Sequence, residues 1–405
     1  MIEAGLVPRT VNFFIVNDDR LNAFVAGGQN IFIHTGLLLE TEGPLELSGV
    51  LAHEIGHLAA GHLARVGDAI ETAQDRALLG IVLGALATIA SGRADVGAAI
   101  AQAGQGTAIQ GFLSYSRAQE SAADQAALHF LDRAKQSSRG LEKFLGKLAD
   151  QELLTGNRRP AYLSTHPITR ERLDTVRHHA ETSPHRDIPL SEEINAAYAR
   201  LVAKLYGYVK APALTFRRYS RDDPSVPARY ARAIANLQAG EMGFALEGAS
   251  ALVEDFPDDP YFRELKGQIL FEGGQPVAAA DELRQALTRA PDEGQIAVLL
   301  GRALIAINSE AALTEALSHL EKAIETEKTW PFAWRQLAIA QGRLGQLGLS
   351  ALSLSEEAVR SRRWSDARQQ ARRAQSRLEQ GSEPYQRAVD IEEQAKAAET
   401  ATRRR

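Results

Sequence analysis

His53-Glu54-Ile55-Gly56-His57 is the stretch of this 405-residue chain best equipped for chemistry. At about 100° of helical turn per residue, the two histidines come within about 40° of each other, one turn apart, with Glu54 about 100° from His53. Two imidazoles so placed form two legs of a tetrahedral zinc site. A carboxylate beside them is positioned as general base for the water such a site holds. The neighbouring Leu51, Ala52, Leu58 and Ala59 are uncharged, so the helix is expected to be buried, where two histidines and a glutamate need partners. The plain alternative is a surface helix with fortuitous histidines. A third ligand has to come from elsewhere. The short-spacer pattern needs a glycine three and a histidine six residues after His57, and Ala60 and Leu63 stand there instead. His62 falls about 180° from His53 and is read as structural or solvated. Glu120 and Asp124 lie four apart on one helical face, with small residues at 121–123 that allow a close helix approach. Glu120 can reach the metal, and Asp124 can accept the free N–H of a ligand histidine and fix its tautomer. An exposed acidic helix is the other reading of that pair.

The elements that must position these groups follow from periodicity and punctuation. Residues 11–16, 24–25 and 31–34 are rich in β-branched and aromatic residues, with turn chemistry at 17–19 and 27–28, so a small meander or mixed sheet is expected. From Gly36 onward the chain reads as helix. Pro44 suits a first helical turn, and Leu45, Leu47, Val50, Leu51, Ile55 and Leu58 recur behind it. A further helix is expected to open near Ser116, with Gln119 in the capping-box position. Another spans Leu141 to Leu153, and a loop holds Gly156, Pro160 and Pro167. The most apolar uncharged stretch, Ala77 to Ser91, is too short to span a bilayer comfortably. With the milder 96–113 it is read as buried helices or as a membrane-facing or cleft-covering element.

Beyond residue 207 the pattern changes. Gly207, Pro212, Pro224 and Pro227 with interspersed charge read as a linker over 207–227. Residues 228–376 then repeat: Pro257 and Pro291 are 34 apart, turn glycines stand at 240, 273 and 345, and alanine fills packing positions. A 34-residue helix–turn–helix period is the tetratricopeptide signature. The organisation expected is therefore 1–206 as the domain carrying the motif, 207–227 as linker, 228–376 as repeats and 377–405 as a helical or disordered tail.

Composition sets the limits. Net charge is −5 with 46 basic and 51 acidic residues, which argues against a nucleic-acid partner. The absence of cysteine removes disulfides, thiolate metal sites and cysteine nucleophiles. Met1-Ile2-Glu3-Ala4-Gly5 is not a signal-peptide opening, so the expectation is either a cytoplasmic protein or one whose leader precedes this numbering.

Together, His53 to His57, Glu120 with Ala123-Asp124, Asn22-Ala23-Phe24, Gly27-Gly28 and Gly36-Leu37-Leu38 resemble the HtpX/BepA-like zinc metallopeptidases over roughly residues 5–180. With repeats behind them, the architecture resembles the branch of periplasmic proteases and chaperones that tend outer-membrane protein assembly. The resemblance implies a mainly α fold: a gluzincin-type metallopeptidase domain with a small β-sheet, followed by an α-helical solenoid. It also implies one zinc ion on His53, His57 and Glu120, Glu54 as base, and Asp124 orienting a ligand histidine. Thr165-His166-Pro167 resembles the family's downstream histidine loop. The residue before proline is held extended, so His166 projects as oxyanion stabiliser or fourth zinc ligand, or is a plain surface histidine. Gly28, Asn30, Ile31 and Phe32 are expected to line an edge strand that an extended polypeptide substrate joins. The resemblance further implies a periplasmic address, recruitment of the outer-membrane assembly machinery through the repeats, and no spanning helix, with peripheral membrane contact left open. A chaperone whose repeat surface carries the main role, with latent protease activity, is the alternative. His178 and His179 are read as solvated.

Overall fold

The computed structural model describes residues 1–26, 28–61, 106–155, 162 and 166–403. The apolar 77–91 stretch, His62, Gly27 and Thr165 lie outside them. The chain forms two compact units, Met1–Val209 and Lys210–Arg405.

The first unit opens on a three-stranded mixed sheet of β1 (Asn12–Val16), β2 (Ala23–Ala26) and β3 (Asn30–His34), in the order β1-β3-β2. β1 runs parallel to β3, with Asn12 opposite Asn30, and β2 runs antiparallel to it, with Ala23 opposite Ile33. Period-two alternation divides β3 between two faces. Ile31 and Ile33 are buried, while Phe32 stacks between Phe14 and Phe24, each with ring centroids 5.1 Å apart. This corrects one expectation. The strand carrying Asn30, Ile31 and Phe32, entered from Gly28, is the central strand and is bonded on both sides, so it has no free edge for a substrate. β1 and β2 flank it, and β2 repeats its alternation, with Ala23 and Val25 buried.

Helices follow: α1 (Thr35–Glu40), α2 (Pro44–Ala59), α3 (Gly106–Arg133), α4 (Arg139–Thr155), α5 (Arg170–Thr182) and α6 (Glu192–Val209). α3 begins ten residues before the expected start, so Ser116 lies inside a continuous helix, where the N–H groups it was to cap are already bonded along the helix. Glycines set how close these helices come. A Cβ on Gly49 would stand 2.6 Å from the Leu141 backbone nitrogen, and one on Gly56 would stand 2.7 Å from the Ala123 carbonyl oxygen. Only hydrogen fits at either place, so α2 lies against α4 and α3 at backbone contact distance. Val50, Leu141, Phe144, Leu145 and Leu148 form the core between them.

The second unit is helical throughout its described length. α7 (Pro212–Arg218) occupies part of the segment read above as a linker. Then come α8 (Val226–Gln238), α9 (Met242–Asp255), α10 (Pro260–Glu272), α11 (Pro276–Arg289), α12 (Gly294–Ile307), α13 (Glu310–Thr326), α14 (Pro331–Arg343), α15 (Leu347–Arg360), α16 (Trp364–Gln375) and α17 (Glu383–Arg403). The first helices of successive pairs begin at 226, 260, 294, 331 and 364, so the repeats are 34, 34, 37 and 33 residues long. Within pairs, Gly267 meets Leu283 and Gly301 meets Leu320, each glycine making room for a leucine of the second helix. Pairs stack on their neighbours through alanine-rich faces, as a tetratricopeptide-type solenoid requires. α17 packs on α15 and α16 and buries Ala388, Ile391 and Ala395, so it is part of the stack.

Candidate functional site

α2 carries His53, Glu54 and His57 into the interior, the first two wholly buried. α3, brought close by the Gly56–Ala123 contact, supplies Glu120 from the facing side. Glu120 Oε2 is 3.3 Å from His53 Nε2 and its Oε1 is 3.1 Å from His57 Nε2, while the two Nε2 atoms are 3.1 Å apart. His166 completes the group, with Nδ1 3.1 Å from Glu120 Oε2 and 3.3 Å from His53 Nε2. One donor atom from each of His53, His57, Glu120 and His166 lies within 4.8 Å of the other three.

The chemistry of this donor set fits a metal ion. Three imidazole nitrogens crowd one another around a single carboxylate, and a dication satisfies all four groups at once. Glu54 stands just outside the group. Both its carboxylate oxygens are buried and lack a hydrogen-bond partner among the described residues, with His166 Nε2 3.5 Å from Oε1. A buried carboxylate so placed lacks the partners that structural glutamates have.

Behind the donors lies a layer that orients them. Asp124 Oδ1 is 2.9 Å from His53 Nδ1, which leaves Nε2 facing the donor group. Arg172, the largest fully buried side chain among the described residues, holds that carboxylate with Nε 2.6 Å from Oδ2 and Nη2 3.0 Å from Oδ1. Its Nη1 reaches Glu120 Oε2 at 3.0 Å and donates to the Pro167 carbonyl at 2.7 Å. One guanidinium therefore ties two helices to the His166 segment. Thr169 caps α5 on the Arg172 backbone N–H and so sets where that side chain starts. The Tyr162 ring stacks on His166 at 4.4 Å between centroids, and the His166 N–H donates to the Tyr162 carbonyl at 2.7 Å.

Burial and charge divide the titratable groups. Burial pushes Glu54 up from the ordinary carboxylate range. Glu120 is buried as well, yet His166 and the two other histidines hold it well below that range. Burial alone would lower His53, but Asp124 and Glu120 outweigh it and raise the imidazole to about 9; burial carries His57 down to about 4.

The structure thus brings together His53, Glu54, His57, Glu120, Asp124 and His166. His166, 5 % exposed, is not a surface histidine. Arg172 and Tyr162 escaped the sequence reading, because nothing marks that arginine among the others of a charged helix except where it points. His179 also differs from its reading. Its Nδ1 is 2.9 Å from Ser138 Oγ and its Nε2 is 2.8 Å from Asp132 Oδ2, a link that pins α5 to the α3–α4 turn. Ser138 is wholly buried.

Comparison with known proteins agrees with this geometry. Residues 1–180 match the profile of Peptidase family M48. The N-terminal unit carries an M48 metallopeptidase domain. The beta-barrel assembly-enhancing protease of Yersinia pestis is 28 % identical over 350 residues, 84 % of this chain and 70 % of that protein. The Escherichia coli protein of the same name is 28 % identical over 292 residues, 70 % of this chain and 58 % of its own length. Metalloprotease YcaL of Escherichia coli is 27 % identical over 41 % of this chain. Among solved structures, MamA matches 43 % of this chain at 14 % identity with a TM-score of 0.32, and YrrB, a tetratricopeptide-repeat protein, 44 % at 16 % with 0.33.

Proposed function

We propose that this chain is a zinc endopeptidase in which His53, His57 and Glu120 hold one metal ion, Glu54 is the general base, and the repeat unit recruits clients. The observation that carries the reading is four donor atoms converging within 4.8 Å beside a buried Glu54 carboxylate that has no hydrogen-bond partner among the described residues. Zinc bound there would supply Lewis acidity and a water acidified towards a pKa of about 7. Glu54 takes the proton of the attacking water on one carboxylate oxygen and returns it to the leaving amine. Asp124 accepts from His53 Nδ1 and fixes the tautomer, and Arg172 keeps Asp124 and Glu120 in place. His166 is read as the fourth donor, which makes the resting enzyme weakly active; stabilising the oxyanion is its alternative role. Of the two edge strands, β2 is the one that lies against α2, so an extended polypeptide would add there.

Among the described residues no helix is long and apolar enough to cross a membrane. Relatives named for β-barrel assembly support clients that are outer-membrane proteins, partners in their assembly machinery, and a periplasmic location. The test is metal analysis together with casein digestion by the full chain and by Glu54→Gln. We expect about one zinc per chain in both and cleavage in wild type only. A Glu54→Gln protein that digests casein at the wild-type rate sinks the assignment. The latent-chaperone reading is favoured by His166 standing among the donors, and it wins if Glu54→Gln still supports assembly of a β-barrel client.

A further inference from the structure

On the first helices of three successive repeats, one cation is held between two aromatic rings. Arg302 of α12 places its guanidinium carbon 4.7 Å from the centroid of Phe271 on α10 and 5.3 Å from that of Phe332 on α14. All three side chains are half-buried. Two rings at these distances attract the cation but accept none of its five N–H donors as a carboxylate would. Arginines nearby on this unit have acceptors: Arg263 bonds Glu282, Arg284 bonds Glu315, and Arg335 bonds Glu357. Arg302 has no carboxylate within ion-pairing distance among the described residues. Ile339, one turn beyond Arg335 on α14, stays 36 % exposed beside this face.

We infer that Arg302 is the anchor point for a carboxylate borne by an extended partner polypeptide, an aspartate or glutamate side chain or a C-terminal carboxylate. This rests on the reading that the repeat unit recruits clients, and it names the chemistry of what is recruited. An arginine held by two rings has already lost part of the side-chain freedom that a free arginine loses on binding. Its planar fork suits bidentate pairing with a carboxylate. A segment carrying one acidic group beside apolar residues meets both the cation and the rings and Ile339 around it.

The test uses the full chain and three pools of fluorescein-labelled decapeptides, otherwise random in sequence but free of Asp and Glu. One has a central Asp and an amidated C-terminus, one a central Asn and an amidated C-terminus, and one a central Asn and a free carboxylate. Fluorescence anisotropy should show at least one carboxylate pool binding about tenfold or more tightly than the Asn-amide pool, and which one does so tells side chain from terminus. Arg302→Met should reduce that pool to the Asn-amide level, and Arg302→Lys should keep part of the preference. The pool comparison on wild type needs no variant, so misfolding of Arg302→Met would not blur it. Equal binding of all pools, or no binding of any, overturns the inference. Client capture by the full chain, measured separately, decides whether the recruitment reading fails with it.

Discussion

Glu54 and Glu120 bear the same carboxylate, and their surroundings assign them different work. Glu120 meets two imidazoles of α2, the ring of His166 and one arm of Arg172; among the described residues Glu54 has no hydrogen-bond partner, only His166 Nε2 at 3.5 Å. A group that four cationic or metal-ligating neighbours address is a holder, and one kept bare beside them is free to move protons. His53→Ala should therefore lose the metal altogether, measured by zinc content after dialysis, because the remaining legs bind weakly. Arg172→Met should leave every donor in place yet weaken zinc by about 10–100-fold, the usual effect of losing an orienting partner. A competition titration with a chelator reads this directly, and unchanged affinity would reduce Arg172 to a packing residue. His166→Ala separates its two roles. Loss of a fourth donor should raise casein cleavage, whereas loss of an oxyanion donor should lower it by about 10²–10³-fold.

At the scale of elements, the site exists because α2 and α3 touch backbone to backbone. Gly56 has no room for a methyl against Ala123, so Gly56→Ala should push the helices apart, lowering the melting temperature and loosening zinc together. A variant that melts earlier but keeps full zinc affinity would uncouple the contact from the site. In the repeat unit, Glu356 on α15 is 4 % exposed and paired with Arg387 of α17 and Arg360 of its own helix. Burial opposes its charge, but the two arginines prevail and hold its carboxyl below the usual range. A depressed folded value means the stabilisation is present above the ordinary carboxylate value of about 4.3 and is lost as pH falls through the folded value. Glu356→Gln should therefore cost stability at pH 7, toward the lower end of about 1.5–3 kcal/mol because Arg387 is partly solvated. Denaturant midpoints measured down to pH 3 should show the gap from wild type narrowing. A gap that holds constant to pH 3 would rule out the charge as its source.

For the whole molecule, two units with separate cores imply separable properties. Unit 1 contains every donor, Asp124, Arg172 and the Gly49 and Gly56 contacts. A protein ending at Val209 should bind zinc with the affinity of the full chain and lose capture of outer-membrane assembly components in a pull-down. Retained capture would move recruitment to the metallopeptidase unit. Zinc loss on truncation would show instead that the first unit does not fold alone.

Much of this was legible in the order of residues. A two-histidine helix has to place its imidazoles together because 3.6 residues make a turn, and no tertiary information is needed for that. The 34-residue period likewise follows from local chemistry, since glycine, alanine and proline recur wherever one helix must turn back on another. The sequence also narrowed the third ligand, because Glu120 and Asp124 share a face with small residues between them. Other features depended on contacts between distant segments. Only the fold could bury His166 among the donors, make β3 the central strand and withdraw the expected substrate edge. Only the fold could turn Arg172, one arginine among many, into the brace between Asp124, Glu120 and Pro167. Periodicity reports which residues share a face; what that face meets is decided by packing, and burial then determines which charges are held and which are left to react.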